Sequence, residues 1–304
     1  MSPKIDSCVV EQRMSLPLKA KILLSKARIR EWYDNWDGNV YVSFSGGKDS
    51  LVLLHLVRSL YPDVPGVFLN TSLEFPELTK FVRTFDNIEW IQPEISFKEV
   101  IEKYGIPFPS KEQSQYINAY IHAKSEKNKH KRWYGKDNKR KTGKIAEKWK
   151  FLAVDFPYEV SDKCCHHMQK KPIIKYEKAT GNKGYVGLLA EESASRMQDY
   201  RLHGCNSYET KRKMSRPIAF WTEDNVWEYI KDNNLPYCNI YDMGYKRTGC
   251  LFCLFGIDRQ KCPNKLQLLK ETHPKHYKYC METLRLREFL EEVNKHMDKP
   301  IIYE

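Results

Sequence analysis

Val40-Tyr41-Val42-Ser43-Phe44 runs without a break into Ser45-Gly46-Gly47-Lys48-Asp49-Ser50 and then into an apolar stretch from Leu51 to Leu60. A β-branched and aromatic run, two glycines and a long hydrophobic segment predict a buried strand, a tight loop and a helix. Backbone without a Cβ at Gly46 and Gly47 can approach an anion closely. The loop amides and the positive end of the following helix are expected to point into that space. Ser45 and Ser50 add hydroxyls, and Lys48 adds a cation. Asp49 is the odd member, since a carboxylate beside phosphates makes sense chiefly if it holds Mg²⁺ between itself and the phosphate oxygens. The spacing is not that of a Walker A loop.

The same alternation continues along the chain. Leu16 to Trp36 carries apolar residues at helical spacing and predicts a helix covering the sheet. Residues 66–70 predict a second strand, with Thr71 and Glu74 in the loop at its carboxyl end. Phe75 to Phe85 predicts a helix and Ile88 to Gln92 a third strand. Tyr185 to Leu189 and Arg216 to Phe220 predict two more, and Thr222-Glu223-Asp224 a capped helix start. Strands and helices alternating at this pace imply an α/β fold with a doubly wound, mostly parallel sheet, in which ligands sit at the carboxyl ends of the strands. The expected division is a helical cover over residues 1–36, the α/β domain over 37–236 with an insertion at about 110–150, and a cysteine-rich turn with C-terminal helices over 237–304.

With 41% hydrophobic residues in 304, the chain can bury a proper core. No run of eighteen apolar residues occurs and the start lacks an apolar signal segment, so a cytoplasmic protein with no membrane partner is expected. The net charge is +12, but twelve Lys or Arg against three acids fall between Ile121 and Lys150, a net of +9 in that segment alone. The segment reads either as a solvated, mobile insertion or as an arm for nucleic acid or polyphosphate, with Trp133, Tyr134 and Trp149 available to stack on bases.

Nine cysteines in such a chain argue for thiols or a metal site rather than a disulfide framework. Cys250 and Cys253 lie on one turn with the spacing that chelates a metal or a cluster iron. Ser161 is a credible N-cap, placing Cys164 and Cys165 in the first turn of a helix that should end at Lys170-Lys171, before Pro172. That position should lower their thiolate pKa. Cys164, Cys165, Cys250 and Cys253 would suit a [4Fe–4S] cluster, with Cys262 and Cys238 in reserve. A zinc site uses the same ligands, and metal-free buried thiols are the third reading.

Taken together, these pieces resemble the phosphoadenosine phosphosulfate reductase family within the adenine nucleotide α-hydrolase superfamily, from Val40 to about Gly256. The matching pieces are Ser45 to Ser50, Cys164-Cys165 with Lys170, Glu192-Ser193 with Arg196, Trp221-Thr222 and Val226, Tyr241 with Gly244-Tyr245, and Gly249-Cys250 with Cys253. The resemblance implies an adenine nucleotide, such as ATP with Mg²⁺, on the loop. It implies Ser193 and Arg196 beside the nucleotide, Arg196 on a phosphate or sulfate, and in some members a cluster on the cysteines. Two features depart from it. Sulfonucleotide reductases carry a C-terminal Glu-Cys-Gly-Leu-His whose cysteine attacks the sulfate, whereas no cysteine follows Cys280 here. They also tend to have arginines where this chain has Leu189 and Ala190.

Three functions follow as expectations. The first is an ATP pyrophosphatase that adenylylates an acceptor, such as a nucleic acid held by the basic 121–150 segment, for sulfur transfer from a donor protein. Lys48, Asp49 and Arg196 would then be catalytic. The second is a thiol-dependent sulfonucleotide reductase. The third is a nucleotide-sensing partner without turnover.

Overall fold

The structure is a computed structural model that describes residues 5–135 and 143–304. The chain opens with α1 (Ser7–Ser15) and α2 (Leu18–Asn35), then β1 (Val40–Ser43), α3 (Lys48–Arg58), β2 (Gly66–Leu69), α4 (Pro76–Val82) and β3 (Ile88–Ile91). Helices α5 (Phe97–Tyr104), α6 (Lys111–Ile121), α7 (Glu126–Tyr134), α8 (Lys163–Cys165) and α9 (Lys171–Thr180) follow. The sheet resumes with β4 (Lys183–Val186), α10 (Ala194–His203), β5 (Asn206–Ser207), β6 (Met214–Ser215) and α11 (Glu223–Asp232). Three helices close the chain: α12 (Lys265–Thr272), α13 (Pro274–Lys278) and α14 (Leu286–Asn294).

The described chain divides into two compact units. Unit 1 holds residues 1–70, 74–92 and 173–248, and unit 2 holds 71–73, 93–172 and 249–304. Unit 1 carries a six-stranded sheet in the order β3-β2-β1-β4-β6-β5. Every pair is parallel except β5 with β6. The sheet is thus doubly wound and mostly parallel, as expected, and the strand order reverses between β1 and β4. The crevice at the carboxyl ends of those two strands is where such a sheet binds ligands.

The core of unit 1 explains why α3 is apolar all round. Leu51, Val52, Leu53, Leu54, Leu56 and Val57 are each at most 2% exposed, and burying a side chain of this kind stabilises by about 1.5–3 kcal/mol. Cover for the sheet comes from α2, tied down by hydrogen bonds from Tyr185 Oη to the Ile29 carbonyl (2.7 Å) and from Ser25 Oγ to the Pro217 carbonyl (2.9 Å). Trp221 Nε1 donates to Ser25 Oγ at 2.9 Å.

Some expectations need correction. Residues 216–220 form no strand: β6 stops at Ser215, and residues 217–220 turn. Pro217 has no N–H to give a ladder. The short antiparallel β5 has too few residues to show a period of two, and the sequence did not reveal it. The helix bearing Cys164 and Cys165 does not stop at Pro172 but continues to Thr180. A π-turn at His166–Lys170 precedes α9, so Pro172 falls in the first turn of a new α segment, where a missing N–H is tolerated. Ser161 Oγ accepts from Lys163 N at 3.0 Å, with Asp162 as the flanking residue.

In unit 2, residues 110–135 carry more helix than their weak periodicity suggested. Ser110 and Ser125 cap α6 and α7. Trp149 is 1% exposed and packs on Phe108 with ring centroids 5.1 Å apart, so it is a core residue and not a surface for bases. The cluster from Lys136 to Arg140 lies outside the described residues, as do Lys141 and Thr142. Among the described residues, no helix is long and apolar enough to cross a membrane.

Candidate functional site

The loop joining β1 to α3 sits at the point where the strand order reverses. Gly46 has φ +76°, a left-handed conformation natural to glycine, and a Cβ there would stand 2.8 Å from Val82 Cγ2. Gly47 leads into α3 with no side-chain cap. The hydroxyls hold the loop's own shape. Ser50 Oγ donates to the Gly47 carbonyl (2.8 Å) and accepts from Ser45 N (3.2 Å), and it lies 3.1 Å from Ser45 Oγ. Gly47 N donates to Ser45 Oγ at 3.4 Å. Lys48 N donates to Tyr241 Oη at 2.8 Å. The expectation that the amides face open space is therefore corrected for Gly47 and Lys48, whose N–H groups are already engaged.

Charge gathers around the first turn of α3. Lys48 is buried, and its Nζ lies 3.4 Å from Asp49 Oδ1 and 3.3 Å from Glu223 Oε1. Burial alone would lower the Lys48 pKa, but the charges of Asp49, Tyr241 and Glu223 outweigh it and the pKa is raised. Burial raises the Asp49 pKa against the opposing pull of Lys48, with Glu192 and Glu223 adding to the rise. Asp49 Oδ1 is buried, and Lys48 Nζ faces it at 3.4 Å, an ion pair rather than a short hydrogen bond. Among the described residues no group of three His, Cys, Asp or Glu side chains converges on a metal position, so Asp49 could offer Mg²⁺ a single carboxylate, the remaining ligands coming from phosphate oxygens and water.

The β4 side completes the site. Past β4, Gly187 lets the chain touch the start of α3: a Cβ there would lie 2.9 Å from the Asp49 carbonyl oxygen and 3.0 Å from Ser50 N. Glu192 is ion-paired with Arg196 and lies 3.9 Å from Arg247. Ser193 caps α10, accepting from Arg196 N at 3.2 Å. Arg196 is thus held by a carboxylate, and its side chain keeps 38% of its surface exposed. Leu189 and Ala190 are buried in the apolar core.

The structure brings Ser45, Gly46, Gly47, Lys48, Asp49 and Ser50 into one loop, with Ser193 and Arg196 at the neighbouring strand end. Thr71 and Glu74 are carried less far. Thr71 is buried in unit 2 and accepts from Leu73 N at 3.3 Å, while Glu74 is half-buried in unit 1. Two contributors were missed, Glu223 and Gly187. Glu223 starts the helix after the last parallel strand, at a carboxyl strand end where ligand groups collect, and that signal could have flagged it. Nothing in the sequence marked Gly187 apart from its place after a strand.

The thiols of unit 2 form a second constellation. Cys164 is buried, and Cys165, Cys250 and Cys253 are half-buried. Burial raises the pKa of Cys164, and the charges of Cys165, Cys250 and Cys253 add to the rise. Burial also raises Cys165, against the pull of Lys111. The expected lowering is overturned because desolvation exceeds the favourable field of the helix start. Gln169 Nε2 lies 3.5 Å from Cys250 Sγ. Among the described residues, no three His, Cys, Asp or Glu side chains converge as a single metal ion requires, which does not fit zinc. Of the reserves, Cys262 is exposed in unit 2, and Cys238 is buried in unit 1 near Glu77 and Asp242.

A glycine loop at the reversal point of a doubly wound sheet, with a buried lysine beside a buried carboxylate, defines a mostly parallel α/β protein whose loop lies at the carboxyl ends of its strands. Residues 39–254 match the phosphoadenosine phosphosulfate reductase domain, and the chain belongs to that family. It is 28% identical over 229 residues to an adenosine 5'-phosphosulfate reductase of Oceanobacillus iheyensis, covering 75% of this chain and 76% of the relative. It is 29% identical to an uncharacterized protein of Methanocaldococcus jannaschii, over 74% of this chain and 38% of that longer relative. Among solved structures, a phosphoadenylyl-sulfate reductase from Candida auris in a phosphate complex is similar, with TM-score 0.46, 16% identity, and coverage of 82% of this chain and 98% of that one.

Proposed function

We propose that this chain is an adenine-nucleotide enzyme of sulfur chemistry, holding the anionic phosphate or phosphosulfate end of the nucleotide at the 45–50 loop. The observation that carries this reading is the glycine loop at the point where the strand order reverses, with Lys48 buried behind it and its Nζ 3.4 Å from the buried Asp49 Oδ1. Asp49 would hold Mg²⁺, which supplies charge neutralisation to the bound phosphates. Lys48 stabilises negative charge on the leaving side, and Arg196 is available to a phosphate or sulfate once it parts from Glu192.

The relatives named adenosine 5'-phosphosulfate reductase favour a sulfonucleotide as substrate. In that reaction a thiolate attacks the sulfate sulfur, forming an S-sulfonated thiol as the bond from sulfur to the phosphate oxygen breaks and AMP leaves. A second thiolate then attacks the first thiol's own sulfur, breaking its bond to the sulfonate, so that sulfite leaves and a disulfide forms between the two thiols. Cys164, Cys165, Cys250 and Cys253 are proposed to carry a [4Fe–4S] cluster, a reading supported by their Cys-Cys and Cys-x-x-Cys spacing and their common place in unit 2.

A second reading is favoured by the site's own charge. Asp49, Glu192 and Glu223 around Lys48 suit a nucleotide that brings its own cation, which is ATP with Mg²⁺. The enzyme would split ATP to pyrophosphate and adenylylate an acceptor for sulfur transfer from a donor protein. A nucleic-acid acceptor would lie on the basic face of α7.

One preparation tests both. Anaerobically purified protein is given adenosine 5'-phosphosulfate with a dithiol, or ATP with Mg²⁺ and tRNA. Sulfite release supports reduction and pyrophosphate release supports adenylylation. Neither product, together with no nucleotide binding, would defeat both.

A further inference from the structure

Tyr241 closes the loop from above. Its hydroxyl accepts the Lys48 N–H at 2.8 Å, and its ring lies 5.9 Å from Lys48 Nζ. Thr248 hydrogen-bonds the same phenol. A Cβ built on Gly47 would stand 2.8 Å from Thr248 Oγ1 and 3.3 Å from Tyr241 Oη. The two hydroxyls therefore lie where an anion approaching Gly47 would come, and the phenol oxygen fills the acceptor place of a phosphate oxygen on the Lys48 amide. The segment from Cys238 to Thr248 reaches this position through a short 3₁₀ turn, Asn239–Tyr241, and the ring of Tyr241 is edge-on to Trp227 at 5.3 Å. Arg247, in the same segment, is 68% exposed and 3.9 Å from Glu192.

We propose that Tyr241 is a phosphate surrogate which sets the affinity of the loop for its nucleotide. The segment carrying Tyr241 and Thr248 straps the empty loop, and a nucleotide's phosphate oxygen displaces the phenol from the Lys48 amide. Displacement means that an existing hydrogen bond is exchanged for a new one. The apparent affinity is then lower than the loop alone would give, in the manner of any site whose competent state is only partly populated. This inference rests on the nucleotide reading of the loop.

The test is isothermal titration of the full chain with ATP and, separately, inorganic pyrophosphate, both with Mg²⁺. Tyr241→Phe keeps the ring on Trp227 and removes only the competing oxygen. It should bind both ligands about 3- to 10-fold more tightly than the wild type, the range of one net hydrogen bond. Thr248→Val, which loosens the phenol without touching it, should tighten binding in the same direction. Trp227 fluorescence should change on ligand addition in the wild type, and Trp227→Phe should abolish the change. Equal or weaker binding by Tyr241→Phe would overturn the strap while leaving the loop reading intact, because weaker binding would make the phenol a ligand of the nucleotide. Absence of binding by the wild type and by both hydroxyl variants would overturn the loop reading and the strap with it. Thermal melts of both variants keep loss of folding distinguishable from loss of the contact.

Discussion

Asp49 shows what a single residue type can reveal. A carboxylate in such a loop is chemically awkward without a cation, so its need for one was legible in the sequence; the cation that the structure places on Asp49 Oδ1 is Lys48 Nζ, 3.4 Å away, and Mg²⁺ there is a proposal. The roles of Ser45 and Ser50 were less legible. Hydroxyls in a loop are equally able to bind a ligand or the backbone, and here both bond the loop itself. Asp49→Asn should keep the fold and lower Mg²⁺-dependent nucleotide affinity about 10-fold or more, checked by titration with and without the metal. Gly187→Ala places a methyl against the backbone of Asp49 and Ser50, which cannot rotate aside. It should cost about 1–3 kcal/mol of stability and weaken nucleotide binding, measured by denaturant unfolding and titration. His55 supplies a pH effect away from the site. Burial first, then Lys26, lowers its pKa below the ordinary 6.5, and its Nδ1 lies 2.8 Å from Tyr229 Oη. A histidine depressed in the folded state contributes stability above its unfolded pKa that is lost as pH falls from 6.5 through the folded value. His55→Gln should flatten that part of the pH–stability curve, read from thermal melts between pH 7 and 5.

At the scale of elements, the strands and helices around the loop followed from runs and periodicity because each buries a face. Where burial is slight, the pattern gave less. Helix α7 has no buried residue, so no apolar stripe announced it, and only its Ser125 cap and composition were there to read. Its surface is the best remaining candidate for a nucleic acid. Lys124 and Lys127 are exposed and Lys131 half-exposed, Tyr134 is 53% exposed, and Trp133 is flanked by Tyr120 at 5.1 Å and Lys150 at 4.5 Å. Replacing Lys124, Lys127 and Lys131 by alanine should leave the melting temperature nearly unchanged, since exposed substitutions cost within about 0.5 kcal/mol each. The salt slope of tRNA binding should fall by about one unit per lysine. An unchanged slope would return the helix to the status of a solvated face. Trp149→Ala, by contrast, removes a core residue and should destabilise unit 2 by about 3–5 kcal/mol in a denaturant titration.

The 45–50 loop belongs to unit 1, and Cys164, Cys165, Cys250 and Cys253 belong to unit 2. Both sets stood out in the sequence because each joins particular residue types at short spacing. The division itself was less legible, since unit 2 is assembled from three separated segments that no local pattern joins. Likewise, the common place of Cys164, Cys250 and Cys253 in one unit depends on tertiary packing. The account's central claim is that the 45–50 loop grips an adenylate through Lys48 with a cation on Asp49. The most direct measurement is calorimetric titration of Mg²⁺ and ATP into the wild type and Lys48→Ala, repeated with adenosine 5'-phosphosulfate. The account predicts saturable one-site binding of at least one nucleotide by the wild type, weakened about 100-fold or more by the substitution. Equal binding by the two proteins would contradict it.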